Sequence, residues 1–140
     1  MAIQQISVFL ENRPGSLLEI LELLAGQGVD LRAYSMAETS DYGIMRLVAR
    51  DAEAAAAALK AAGFTAKVTP VLGVLVDDRP GASVKPFHAL LEAGVSVEYS
   101  YAYAMGDGRA MLLLRVDDYD KAQQALLVAG AALARHTEMF

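Results

Sequence analysis

The stretch Ile6-Ser7-Val8-Phe9-Leu10-Glu11-Asn12-Arg13-Pro14-Gly15 recurs later in the chain as Leu72-Gly73-Val74-Leu75-Val76-Asp77-Asp78-Arg79-Pro80-Gly81. Each copy is an apolar, strand-like run that ends in polar residues and breaks at Arg-Pro-Gly. Landmarks follow both copies in the same order: Leu24 matches Leu90, Gly28-Val29 matches Gly94-Val95, and Ala62-Gly63 matches Ala129-Gly130. The chain therefore reads as two copies of one unit, residues 1–70 and 71–140. Each has roughly 65 to 70 residues, a length that just sustains one small core.

In the first copy, residues 3 to 10 alternate, with Ile6, Val8 and Leu10 on one side and Gln5, Ser7 and Phe9 on the other, as in a half-buried strand. Leu17, Leu18, Leu21, Leu24 and Ala25 then recur at helical spacing and Gly28 marks the helix end, which predicts a helix over about 16–27. Strands are predicted over 29–38 and 44–50, joined by Thr39-Ser40-Asp41-Tyr42-Gly43. Asp51 caps an alanine-rich second helix that runs to Ala62, with Lys60 in its last turn and Gly63 beyond it. Residues 64–69 close the unit as a strand. The second copy reads the same way, with helices near 86–93 and 117–129 and strands near 71–77, 95–104, 109–116 and 131–137. This order predicts an α+β fold of two ferredoxin-like βαββαβ repeats, each an antiparallel four-stranded sheet with both helices on one face. Only a couple of residues around Pro70 separate the copies, so the repeats are expected to pack side by side.

Composition excludes several functional classes. The 140 residues are 55% hydrophobic and 21% charged, enough for compact cores and too apolar for disorder. The formal net charge is -5, with six bases against eight acids up to Pro70 and six against nine beyond it. Neither copy is a basic surface for nucleic acid or an anionic membrane. The absence of cysteine removes disulfides, thiol catalysis and thiolate metal sites. His88 and His136 lie far apart and neither has a discernible nucleophile or carboxylate partner, so no metal, no cofactor and no enzymatic activity are expected. No run approaches the roughly 20 apolar residues that span a bilayer, and the N-terminus lacks a basic region followed by an apolar one. A soluble, cytoplasmic protein is the expectation.

Two βαββαβ units, each with Asn or Asp ahead of Arg-Pro-Gly and a Gly-Val pair opening the second strand, resemble the ACT domain. The resemblance covers essentially the whole chain, in the form of a small stand-alone protein of two ACT-like repeats. It implies non-enzymatic, regulatory binding of a small ligand, usually an amino acid, at the interface between two domains. Acylphosphatases and RNA-recognition modules share the element order. The former use a longer, more glycine-rich phosphate loop, and the latter need a basic sheet face with aromatics at set places. Metal chaperones of related shape need a paired-cysteine loop, which this sequence lacks.

Pro14 fixes one backbone angle and Gly15 permits a tight turn, so the amides of Gly15, Ser16 and Leu17 are expected at a helix N-terminus without intrahelical partners. An α-carboxylate there gains hydrogen bonds and the positive end of the helix dipole, together of order 1 to 3 kcal/mol. Asp30 stands where the resembled family often has an Asn that touches ligand, and its carboxylate either suits an ammonium or is a solvated group at a strand entrance. Its equivalent is Ser96. Asn12 and Asp78 are alternatively caps of the following turns, and Arg13 and Arg79 are expected to be exposed or paired with neighbouring acids.

Tyr99, Tyr101 and Tyr103 alternate along the second strand of the second copy, and Tyr34 lies in the matching strand of the first. Such rings either stack on an aromatic or imidazole ligand, for about 0.5 to 1.5 kcal/mol, or cover the helix-free sheet face or a dimer contact. A proline inside a helix that began at Ala82 would clash, so this helix is expected to begin near Pro86 after a longer Gly81-to-Lys85 loop. That loop, with Asp78, Gly81 and Ala82, is the less favoured anion site. The favoured one is the loop of Asn12, Arg13, Pro14, Gly15, Ser16 and Leu17, completed by Tyr99, Ser100 and Tyr101 of the other repeat. No output domain is expected, so such a sensor is expected to act in trans, through a partner enzyme or a homodimer, or merely to buffer its ligand. The competing reading is an adaptor module that has lost ligand binding.

Overall fold

The computed structural model describes residues 2–140. In chain order the elements are β1 (Ile3–Glu11), α1 (Ser16–Gly26), β2 (Leu31–Glu38), β3 (Tyr42–Ala49), α2 (Ala52–Ala61), β4 (Thr65–Asp77), α3 (Val84–Glu92), β5 (Val97–Ala104), β6 (Arg109–Val116), α4 (Tyr119–Val128) and β7 (Ala132–Ala134), followed by a 3₁₀ turn, His136–Met139. The chain divides into two compact units, Gln4–Thr69 with Phe140, and Pro70–Met139 with the first residues up to Ile3. Each is a βαββαβ repeat.

In the first unit the strand order is β2-β3-β1-β4, with β1 antiparallel to β3 and β3 to β2. Ile6, Val8 and Leu10 of β1 and Met45, Leu47 and Ala49 of β3 form one core with Ile20 and Leu24 of α1 and Ala55, Ala56 and Leu59 of α2. Both helices therefore cover the same sheet face. Burying a leucine such as Leu24, 1% exposed, contributes about 1.5 to 3 kcal/mol. The sequence sets the ends of both helices. Gly15 and Gly28 take left-handed φ values of 86° and 68° at either end of α1, and the Asp51 carboxylate accepts from the Ala54 amide at 3.0 Å to cap α2.

The second unit repeats the plan with order β7-β4-β6-β5. Leu72 and Val74 of β4, Leu112, Leu114 and Val116 of β6, Leu90 of α3, and Ala122 and Leu126 of α4 form its core. Asp118 caps α4 through the Lys121 amide at 3.1 Å.

Four details differ from the sequence expectation. No linker separates the copies: β4 runs unbroken through Pro70, because the fixed φ of proline suits an extended backbone. The Pro70 carbonyl accepts from Arg115 Nη1 at 3.1 Å. Helix α3 begins at Val84 rather than near Pro86, since a proline in the first turn has no intrahelical bond to lose. The last strand ends at Ala134, because the Arg135 amide and guanidinium both bond Glu138 Oε1, at 3.3 and 3.0 Å, and turn the chain into the 3₁₀ turn. Finally, Gln5 and Ser7 of β1 are buried, at 0% and 6% exposure, with Gln5 Nε2 donating to Ser7 Oγ at 3.4 Å.

Candidate functional site

Both Arg-Pro-Gly turns fold alike and differ in what surrounds them. In the first, the Ser16 amide donates to the Arg13 carbonyl at 3.3 Å and the Glu19 amide to the Gly15 carbonyl at 3.0 Å. The Ser16 amide thus closes the turn and is not available to a ligand; those of Gly15 and Leu17 have no backbone acceptor in the turn. The Ser16 hydroxyl is buried without a hydrogen-bond partner. Arg13 donates through Nε to Glu11 at 3.2 Å and through Nη2 to Glu19 at 3.0 and 3.1 Å. These two acids, Glu19 foremost, raise its pKa further above neutrality. Asn12 caps nothing in this turn; its Nδ2 donates instead to the Thr39 carbonyl at 3.0 Å, tying the loop to the β2–β3 hairpin. Residues 12 to 15 are all exposed.

In the second turn the Ala82 amide bonds the Arg79 carbonyl at 3.3 Å and the Val84 amide bonds the Gly81 carbonyl at 3.1 Å. This extra turn absorbs the residues ahead of α3, and Gly81 takes φ 80°. A cleft of about 380 Å³ opens beside it, walled by Val74, Val76, Pro86, Gly130, Ala131 and Ala132, with Asp77, Arg79, Gly81, Ala82, Lys85 and Arg109 at its polar parts. That volume lies within the range of small-molecule sites. Arg79 Nε donates to Asp77 at 3.4 Å. Arg109 donates through Nε and Nη2 to Asp107 Oδ2 at 3.0 and 2.7 Å, which holds the Asp107 carboxyl below its ordinary range. The Asp78 amide donates to the Gly108 carbonyl at 2.9 Å and so fastens the loop to the β5–β6 hairpin.

The remaining sequence-nominated residues lie outside this cleft. Asp30 is engaged by two guanidiniums, Arg32 Nη2 at 3.3 Å and Arg50 Nη2 at 3.6 Å, and both arginines sit over the Phe140 ring, 5.0 and 5.1 Å from its centroid. Ser96 exchanges hydrogen bonds with Asp117: its amide donates to Oδ1 at 3.0 Å and its carbonyl accepts the Asp117 amide at 3.1 Å. Tyr99, Tyr101 and Tyr103 are half-buried opposite Arg115, Leu113 and Met111, while Ser100 pairs with core residue Leu114. No tyrosine lines the cleft. Tyr34 does not share the face of that stripe. It pairs with Leu47, a residue of the helix-side core, so it matches Ser100, and it is 51% exposed.

Sequence reading missed Lys85, Arg109 and the Gly130-Ala131-Ala132 wall. Arg109 stands directly opposite Asp77 in the β4–β6 register, a relation that only the folded strands display. Among the described residues, no group of three or more acidic or histidine side chains could hold a metal, and no helix is long and apolar enough to cross a membrane.

Comparison with known proteins accounts for this doubled architecture. Protein BT0572 of Bacteroides thetaiotaomicron is 34% identical over 99% of this chain and 96% of its own, with a TM-score of 0.93. The regulatory subunit of aspartate kinase from Thermus thermophilus, in a ligand-free form, shares the fold at 19% identity over 90% of this chain and 91% of that one, TM-score 0.67. The corresponding subunit from Thermus flavus does so at 21% identity over 91% and 92%, TM-score 0.63. The search of curated proteins returned no match. A family model described as an ACT domain pair matches residues 1–138. With its two Arg-Pro-Gly turns and paired βαββαβ repeats, the chain belongs to the ACT domain pair family.

Proposed function

We propose that this protein is a regulatory module that binds a free amino acid in the cleft beside Arg79-Pro80-Gly81 and signals occupancy to a partner. The observation that carries the reading is the cleft itself. It gathers a glycine turn, cationic side chains and apolar walls in one place, whereas the matching loop of the first repeat is exposed and its arginine is bound to two acids. The site preferred on sequence grounds was the first loop; the cleft moves that preference to the second. An α-carboxylate is suited to the Gly81 turn and its cations, an ammonium to Asp77, and the aliphatic part of a side chain to Val74, Val76 and Pro86. Family membership supports a regulatory role, and two proteins of like fold are regulatory subunits of aspartate kinase.

A thermal-shift screen of the purified protein against the twenty amino acids tests the proposal. A ligand at a hundredfold its dissociation constant adds about 2.7 kcal/mol to folding. The shift should vanish in Ala132→Glu, which puts a carboxylate at an exposed position of the cleft wall. An adaptor role is favoured by the exposure of Leu91 and Val128, 72% and 79%, and it predicts no shift with any amino acid.

A further inference from the structure

We infer that, given the cleft as the ligand site proposed above, its ligand is a dicarboxylic amino acid whose side-chain carboxylate is read by Lys85 and Arg109. The inference comes from comparing the two repeats position by position. Around the first turn stand Glu11, Arg13, Glu19 and, opposite Glu11 in the β1–β3 register, Tyr42. Around the second stand Asp77, Arg79, Lys85 and, opposite Asp77 in the β4–β6 register, Arg109. Glu19 and Lys85 lie the same distance past their arginines. The first set holds one base against two acids, and the second holds three bases against one acid, or against two when Asp107, the partner of Arg109, is counted. In a chain of net charge -5, the cleft is a local cationic site.

Those cations are incompletely used inside the protein. Lys85 has no hydrogen-bond or ion-pair partner among the described residues, and because it occupies the position equivalent to Glu19, Arg79 lacks the second acid that Arg13 has. Arg79 gives only Nε to Asp77. Arg109 gives Nε and Nη2 to Asp107, which is not a cleft wall, and is thereby oriented with Nη1 to spare. One carboxylate satisfies the Gly81 turn and Arg79, and a second is needed to engage Lys85 and Arg109. Bidentate or charge-assisted contacts of this kind are stronger than neutral ones. The opposing wall, Gly130, Ala131 and Ala132, offers no ring on which an aromatic side chain could stack.

Isothermal titration of the full chain with L-aspartate, L-glutamate, L-asparagine, L-glutamine and inorganic phosphate decides the matter. The acids should bind at least about tenfold tighter than their amides, and the preference should weaken with added salt. Lys85→Gln and Arg109→Gln should bring the acid-to-amide ratio toward one, a selective change that misfolding would not produce, and Arg109→Lys should restore part of it. Equal affinity for acids and amides would overturn the inference and leave the amino-acid site standing. Binding of phosphate without either acid would overturn it in favour of an inorganic anion. Absence of binding by all four amino acids would overturn the inference, and absence of a thermal shift with any of the twenty would remove the function on which it rests as well.

Discussion

Gly15 and Gly81 hold the same left-handed conformation, φ 86° and 80°, and no atom lies within 4 Å of where a Cβ would stand on either. Alanine at these sites therefore meets backbone strain alone, and Gly15→Ala and Gly81→Ala should each lose about 1 kcal/mol in chemical denaturation. Gly73 is the contrasting case. A Cβ there would run into Ile3 Cδ1 and stand 3.2 Å from Met111 Sδ, both fully buried, so Gly73→Ala should cost more, about 1 to 3 kcal/mol. Asp107 supplies a pH signature. Its folded pKa is lowered, chiefly by hydrogen bonding from Arg109, so the pair's stabilisation is complete above the ordinary carboxylate value and is lost as pH falls through the lowered one. Denaturation of the wild type and Asp107→Asn should differ at pH 7 and converge in strong acid. Pairing of Arg13 and Arg79 was legible because their acids are near in sequence. The Asp30 cluster was not, since Arg50 and Phe140 reach it only through the fold.

At the level of elements, helix boundaries follow local chemistry closely. Asp51 and Asp118 occupy equivalent caps, and Asp51→Ala or Asp118→Ala should each remove about 1 kcal/mol, read as a lowered denaturation midpoint with unchanged slope. The first cap is plain in the sequence because one acid precedes the alanine run. The second is ambiguous between Asp117 and Asp118, and the structure gives Asp117 to the Ser96 amide instead. Strand ends proved harder to read. Pro70 is a local breaker signal that an extended strand tolerates, and the Arg135 to Glu138 bonds turn the chain where the sequence expectation runs the strand on to 137. The tyrosine stripe was readable as an alternation, but the bulge between Val97 and Tyr99 in β5 decides its register and hence its face.

For the molecule as a whole, repetition made the architecture legible: two copies of strand, Arg-Pro-Gly turn and helix are enough to imply a pair of βαββαβ repeats. Repetition also hid the contrast on which the proposed site rests. Matching turns suggest matching functions, while the difference lies in Lys85 replacing the counterpart of Glu19 and Arg109 replacing that of Tyr42, which becomes visible once the strands are in register. Given the proposed site, turns with one backbone and opposed local charge divide their labour, the first structural and the second recognising ligand. The most direct test is a ¹H–¹⁵N NMR titration of the full chain with the amino acid giving the largest thermal shift. Perturbations should gather at Gly81, Ser83, Lys85, Arg109 and Gly130, with Gly15 unmoved. Perturbations centred on Gly15 and Leu17, or none anywhere, would contradict an amino-acid site in the second repeat.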